Sequence, residues 1–498
     1  MKFYRFISLV LMLVIASGLL LACGDNTAND NPTTAANNNQ EEGQDSDEPA
    51  GEARILPDLP DSDFGGHAFN FLVHHYSGDD WVSDIPLEVL AEEETGEPIN
   101  DAVFRRNMII REKYNIDIKM TPDADERGAL RRAVSAGDST YDAVIMFNHH
   151  VPGIVTGDLL INTDDLPFLD LSKPWWDDAT KAMSIANRHF LLGGDILILD
   201  NEATNTLLFN KELMADLGHP LPYDLVKEGK WTMDALYNLI KDAASDLSGT
   251  GGALSPYEDR FGLLVYNDTM HAFLIGGGGT LARKDADDLP YMTLIEPRNI
   301  AIFEKSLELY NTDFTLNIQN MPPGSWDSQT AYRGTFEENR ALFSWVRMRE
   351  VERFRGMEAD FGILPMPKFD EAQENYYSVV NAYTGALLGV PKSAGDPELV
   401  SIILEALAAE SRYTLQPAYY DVVLARKYTR DEESEEMLDI IFSNRIYDIG
   451  ATYAFGDAFI GYINLANGRT HVTTYFERTE PRMERDIERI ADIFEAMD

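Results

Sequence analysis

Residues 116–147, IDIKMTPDADERGALRRAVSAGDSTYDAVIMF, decide the fold. Ile116, Ile118 and Met120 alternate with polar residues, the period of a half-buried strand. Asp125 to Ala136 then reads as a helix carrying Leu130, Ala133 and Val134, and Gly137-Asp138 ends it. Tyr141 to Phe147 follows as a continuous apolar strand. Upstream, Ala68 to Val73 is a short β-rich run. Asn100 is expected to cap a helix reaching Tyr114, with Val103, Phe104, Met108, Ile110 and Tyr114 on one broad face. Strand, helix, strand, helix, strand at this spacing predicts an α/β unit built on a parallel sheet.

The chain ahead of this unit has a different composition. Lys2 and Arg5 precede an uncharged run from Phe6 to Ala22, the basic and apolar regions of a secretory signal peptide. Leu20-Leu21-Ala22-Cys23 resembles the bacterial lipobox. That resemblance implies cleavage before Cys23, residues 1–22 leaving as signal peptide, and acylation of the Cys23 sulfur. A transmembrane anchor would want a basic flank, yet no Lys or Arg occurs between Cys23 and Arg54. Cys23 is the only cysteine, which excludes a disulfide within the chain. Residues 23–54 are polar and acidic with almost no large apolar side chain, so they are expected to form a disordered tether.

The chain has 498 residues, too many for one core, and two or three domains are the prior. Its 44% hydrophobic and 10% aromatic content is ordinary for a globular protein. The net charge of −43, which becomes −45 once Lys2 and Arg5 are removed, argues against nucleic acid and anionic lipid as partners.

Several later segments follow the α/β unit in a telling order. Gly193–Lys211 (GGDILILDNEATNTLLFNK) is a small-residue strand and a hydrophobic strand ending in Asn-Lys. Lys230-Trp231-Thr232 opens a helix from Met233 to Ala244. Phe336–Phe343 (FEENRALF), Phe361–Lys368 (FGILPMPK) and Val390-Pro391-Lys392-Ser393 ahead of a helix complete the series. In this order, over residues 60–420, the chain resembles an extracellular solute-binding protein (family 1, carbohydrate-type) of an ABC importer. Asn339-Arg340 stands where that family usually has Gly-Lys.

The resemblance implies a periplasmic-binding-protein-like α/β fold, two α/β lobes around a ligand cleft with hinge crossings. Residues 55–200 plus 378–425 are expected to form the first lobe and 201–377 the second. Residues 426–498 are expected to be a C-terminal helical segment packing on the lobes, with a closing helix from Met483 to Met497. The hinge is expected near Asp200–Thr206 and Val379–Thr384. The resemblance also implies lobe closure on a small solute, delivery to an ABC transporter permease, and a lipid-anchored position at the extracytoplasmic face of the cell membrane. A monomer is expected.

Ligands in open α/β sheets bind beyond the carboxyl ends of strands, which selects candidate residues. Tyr76 and Trp81 follow the first strand, Asn148 and His149 follow Phe147, and Asp200 and Asn201 lie at the lobe passage. Trp345 and Arg347 follow the Ala341–Phe343 run, Trp326 sits in a Pro-Pro-Gly loop, and Tyr383 sits at the return crossing beside Asn381. Sugars present C–H faces that stack on aromatic rings and hydroxyls that bond Asp, Asn and Arg, so this set points to a sugar or oligosaccharide. Acidic and aromatic side chains also suit cations and peptides.

Other chemistries find little support. His74-His75 and His149-His150 are adjacent pairs, neither of which turns both rings to one metal from a strand, and no H-E-x-x-H is present. No metal and no cofactor is expected. Gly276 to Gly279 lacks the Lys-Ser/Thr of a phosphate loop and reads as a helix stop. G-x-S-x-G is absent, so the chain is not expected to be an enzyme. A surface glycan hydrolase using paired carboxylates remains the alternative from another class, and a binding protein feeding a membrane sensor the alternative within its own.

Overall fold

The computed structural model describes residues 54–75, 86–318, 321, 328–424 and 432–497. Its compact unit runs from Ile55 to Asp498. In chain order its main strands are β1 (His67–His74), β2 (Ile116–Asp123), β3 (Ala143–Phe147), β4 (Asn205–Asn210), β5 (Phe261–Val265), β6 (Thr315–Asn317), β7 (Ala341–Arg347), β8 (Phe361–Leu364), β9 (Ser378–Val379), β10 (Ala386–Gly389) and β11 (Arg445–Ile446). The helices that matter here are α1 (Pro98–Tyr114), α2 (Glu126–Ala136), α3 (Met233–Ile240), α4 (Thr269–Gly276), α5 (Pro397–Ser411), α6 (Glu432–Ser443), α7 (Ala458–Ala466) and α8 (Val472–Ala496).

Two sheets make two α/β lobes. The first has the order β10-β3-β1-β2, with β1 parallel to β2 and β3 and β10 antiparallel to β3. Successive side chains alternate faces. Phe69, Phe71 and Val73 join Ile110, Tyr114 and Leu399 in one core, while Leu72, Val144 and Met146 face the other way. The second sheet has the order β8-β4-β7-β5-β6, parallel from β7 through β5 to β6 and antiparallel from β7 through β4 to β8. Every residue of β4, β5, β7 and β8 is buried, as expected of strands covered on both faces.

Register decides where the site lies. Ala386 pairs with Phe147, so the segment entering β10 lies at the carboxyl end of β3. Asn205 pairs with Arg347, so the passage into β4 lies at the carboxyl end of β7. The two crossings run together: Thr204 bridges Val380, Asn381 N–H donates to Ala203 O, and β9 pairs with β11. The strand tips of both sheets therefore meet where the chain crosses.

Some local expectations need correction. The helix expected from Asn100 begins at Pro98, because proline suits a first helical turn that has no use for its missing N–H. Asn100 instead donates its amide to Glu93 O. On that helix Met108 is exposed, while Arg106 and Asn107 are buried, donating to the carbonyls of Glu88 and Val89. Buried polar groups are tolerated there because they are hydrogen-bonded. Finally, the closing helix begins at Val472, not Met483, and runs through Pro481. Tyr475, Thr479 and Met483 are buried on one face, and that packing carries the helix past the proline.

Residues beyond β11 touch both lobes. Tyr462 and Phe303 meet edge to face at 5.1 Å, and His271 on α4 pairs with Asp448 at 2.9 Å. Phe494 packs edge-on to Phe190 at 5.5 Å. The glycine run after Ile275 ends α4, and a Cβ at Gly276 would sit 2.7 Å from Met366 Cβ. No helix among the described residues is long and apolar enough to cross a membrane.

Candidate functional site

A cavity of about 260 Å³ lies at the meeting of the strand tips. The end of β5 supplies Tyr266, Asn267 and Asp268, and the end of β7 supplies Arg347. The return crossing supplies Tyr383 and Thr384, and α7 closes the wall with Phe459, Ile460 and Ile463.

Arg347 and Asp268 are each held in place by a neighbouring side chain. Arg347 lies against Glu350, with Nη2 2.7 Å from Oε1 and Nε 3.3 Å from Oε2. The same carboxylate accepts the Arg347 backbone N–H at 3.0 Å, so one side chain fixes both the arginine and the turn after β7. Asn381 Nδ2 donates to Asp268 Oδ2 at 2.9 Å, while its Oδ1 accepts the N–H groups of Tyr383 and Thr384. Loss of solvent raises the Asp268 carboxyl, and the Asn381 amide opposes that rise. Gly385 is required at this turn, since a Cβ would lie 2.7 Å from Val380 Cγ1 and 2.9 Å from Asn148 Nδ2.

Aromatic rings form the apolar part. Tyr383 stacks on His149 at 5.1 Å and leans on Phe459 at 5.4 Å. Burial, then the neighbouring His150, pushes the His149 imidazole down to about 4. Tyr266 stacks on Trp345 at 6.0 Å. Chemically, the cavity combines ring faces with an arginine, a carboxylate and an amide.

The sequence candidates divide on this geometry. Arg347 and Tyr383 line the cavity together, and His149 backs Tyr383. Trp345 is buried behind Tyr266, and Asn148 is fully buried beneath the Gly385 turn. Asp200 and Asn201 sit elsewhere, in a buried cluster with Arg445 of β11. Asp200 Oδ2 is 3.3 Å from Arg445 Nη1, and Asp177 Oδ2 is 2.8 Å from Nη2. Burial pushes the Asp200 carboxyl up to about 7 despite the arginine. Burial alone would lower Arg445, but Asp200 and Asp177 outweigh it and hold the guanidinium above its ordinary value. Tyr76, Trp81, Trp326 and Cys23 lie outside the described residues.

Sequence reasoning passed over Tyr266, Asn267 and Asp268, although they follow an apolar strand by the same rule that picked Arg347. Phe459, Ile460 and Ile463 gave no signal, because nothing in a helix far down the chain shows which lobe it covers.

One further cluster adjoins the site. His74, Glu126 and His150 are all buried, and their ring nitrogens and carboxylate oxygens lie within 4.8 Å of one another. Two imidazoles and a carboxylate are donors that suit a transition-metal ion. Burial works to raise the Glu126 carboxyl, but hydrogen bonds from His150 and His74 outweigh it and hold the group at about 2.

With this geometry in view, the family can be assigned. The model for bacterial extracellular solute-binding proteins matches residues 95–409, more than half of the chain. The chain belongs to that family. Among curated protein sequences none matches it. Solved structures of solute-binding proteins share its fold. The sugar-binding protein MalE of Xanthomonas citri is 13% identical with a TM-score of 0.56, over 86% of this chain and all of that one. A cyclo/maltodextrin-binding protein complexed with maltotetraose is 14% identical with a TM-score of 0.56, over 85% of this chain and 98% of that one. The maltose/maltodextrin-binding domain MalE of Bdellovibrio bacteriovorus, bound to maltotriose, is 15% identical with a TM-score of 0.53, over 84% and 100%. This solute-binding family member is thus a two-lobed, periplasmic-binding-protein-like chain whose family works outside the cytoplasm.

Proposed function

We propose that the protein captures a neutral oligosaccharide between its lobes and hands it to an ABC transporter permease, without chemical change. The observation that supports this most is the cavity itself. Ring faces of Tyr383, Phe459 and Tyr266 stand beside Arg347, Asp268 and Asn267 where the strand tips of both sheets meet. A sugar ring stacks its C–H face on the aromatics while its hydroxyls accept from Arg347 and donate to Asp268. The volume, near the lower end for small-ligand sites, takes about one sugar residue and leaves the rest of the chain to extend along the cleft. Malto-oligosaccharides are the first class to test, given the ligands named for the neighbours of like fold.

Contacts from both lobes form only when the lobes approach, so ligand shifts the population toward closure. The adjacent crossings at Thr204 and Val380 are the proposed hinge. Cys23, acylated after signal cleavage, is the proposed anchor, and residues 23–54 the tether that keeps the folded part near its permease. Within this reading residues 55–200 with 378–425 move as one lobe and 201–377 as the other.

The test is a thermal-shift screen of the purified protein against malto-oligosaccharides, other glycans, peptides and polyamines. A ligand that binds only the native state raises the melting temperature. Stabilisation by a glycan that chromatography afterwards recovers intact supports the proposal. Glycan turnover would instead reveal a hydrolase, and stabilisation by peptides or polyamines alone would reassign the ligand.

A further inference from the structure

We propose that His74, Glu126 and His150 bind one divalent transition-metal ion of the zinc class in the wall of the first lobe, directly behind the cavity. The three residues come from different elements. His74 ends β1, Glu126 opens α2, and His150 lies in the short turn that follows β3. Because β1 and β3 are parallel neighbours, their carboxyl ends deliver both histidines to the same place. The amino end of α2 brings the carboxylate between them.

The donor atoms converge. Glu126 Oε2 lies 2.5 Å from His74 Nδ1, and Glu126 Oε1 meets His150 Nδ1. The two imidazoles are edge to face, with centroids 5.2 Å apart and planes at 70°, so ring nitrogens face the carboxylate while the ring faces do not stack. Two histidines and one carboxylate form the three-ligand set zinc takes when a fourth position stays open. Imidazole donors also argue against calcium or magnesium, which prefer oxygen. Among the described residues Glu126 meets the Nδ1 atoms of these two imidazoles and pairs with no lysine or arginine. A cation placed among the three therefore supplies charge compensation for a carboxylate taken out of water.

The sequence hid this arrangement because each adjacent histidine pair was read alone. The fold takes one member from each pair, His74 and His150, and directs His149 to Tyr383 instead. His149 and His150 ring centroids are 4.1 Å apart, which places the ion one side chain behind the cavity wall.

The experiment uses the purified protein, stripped with EDTA and titrated with Zn(II) by calorimetry, and separately loaded with Co(II). One equivalent of Zn(II) is expected to bind, and Co(II) to give the visible bands of a low-coordinate nitrogen–oxygen site. His150→Ala and Glu126→Gln are each expected to weaken Zn(II) binding by more than the roughly 10- to 100-fold that follows loss of a supporting partner. His471→Ala, at an exposed position, is expected to leave binding unchanged. Wild-type protein that takes up no stoichiometric Zn(II), or whose Co(II) spectrum is that of the aqua ion, overturns the proposal without reference to any variant. Undiminished binding in both ligand variants overturns it as well. Neither readout involves sugar, so the proposal stands or falls apart from the transport function.

Discussion

Replacing Arg445 with methionine is the most informative single perturbation of this fold. The guanidinium reaches from β11 to Asp177 at 2.8 Å and Asp200 at 3.3 Å, and it also donates to Asn201 Oδ1. It thus ties the C-terminal region to the segment that enters the second lobe. At an effective dielectric of about 20 each such pair is worth roughly 4 kcal/mol before desolvation is counted. Methionine fills much of the volume but strands two carboxylates, and breaking a buried pair this way costs about 3–5 kcal/mol. The cost must depend on pH. Asp200 already titrates at about 7 with its partner present, so at pH 5 it is neutral and loses little when the arginine goes. We expect Arg445→Met to lower unfolding free energy by about 4 kcal/mol at pH 8 and about 2 kcal/mol at pH 5. Urea denaturation followed by tryptophan fluorescence at both pH values reads this directly. A loss below about 1 kcal/mol at pH 8, or an equal loss at both, would refute the reasoning.

Three further outcomes are expected. Arg347→Met and Tyr383→Ala should each weaken oligosaccharide binding by about 10- to 100-fold, the loss of one charge-assisted or stacking contact, as read by calorimetry on variants whose melting remains cooperative. Glu405 accepts both indole N–H groups of Trp175 and Trp176, and burial pushes its carboxyl up to about 7 from 4.5. A carboxyl raised in the folded state stabilises it below the unfolded value and loses that contribution as pH rises through 7. From pH 5 to pH 8 the wild type should therefore lose about 2–3 kcal/mol more than Glu405→Gln, and parallel pH profiles would exclude this origin. Gly461→Ala should cost about 1–3 kcal/mol, because its Cβ would overlap the buried Tyr475 ring in the α7–α8 contact; a melting temperature equal to wild type would count against that packing.

How far the sequence could be read depended on distance along the chain. The alternation of Ile116 and Ile118 and the apolar run ending at Phe147 reflect local periods, and they emerged as β2 and β3, the two strands that flank β1 in one sheet. Arg347 was visible because it stands at a strand end, and Tyr383 because it sits at the return crossing, the two places that face the cleft. Asp200 and Asn201 obeyed the same rule, yet their partner is Arg445, more than 200 positions later, and no local pattern announces it. Phe459 and Ile463 were hidden for a similar reason, since an apolar helix shows that it is buried but not against what. The His74–Glu126–His150 cluster needed three elements in register before its donors could be seen together.

Titration calorimetry of the purified protein with a malto-oligosaccharide series tests most directly whether a sugar is held between the two lobes. One saturable site per chain is predicted, filled by intact sugar and weakened by Arg347→Met. A flat titration with every glycan, while the protein remains folded, would contradict it.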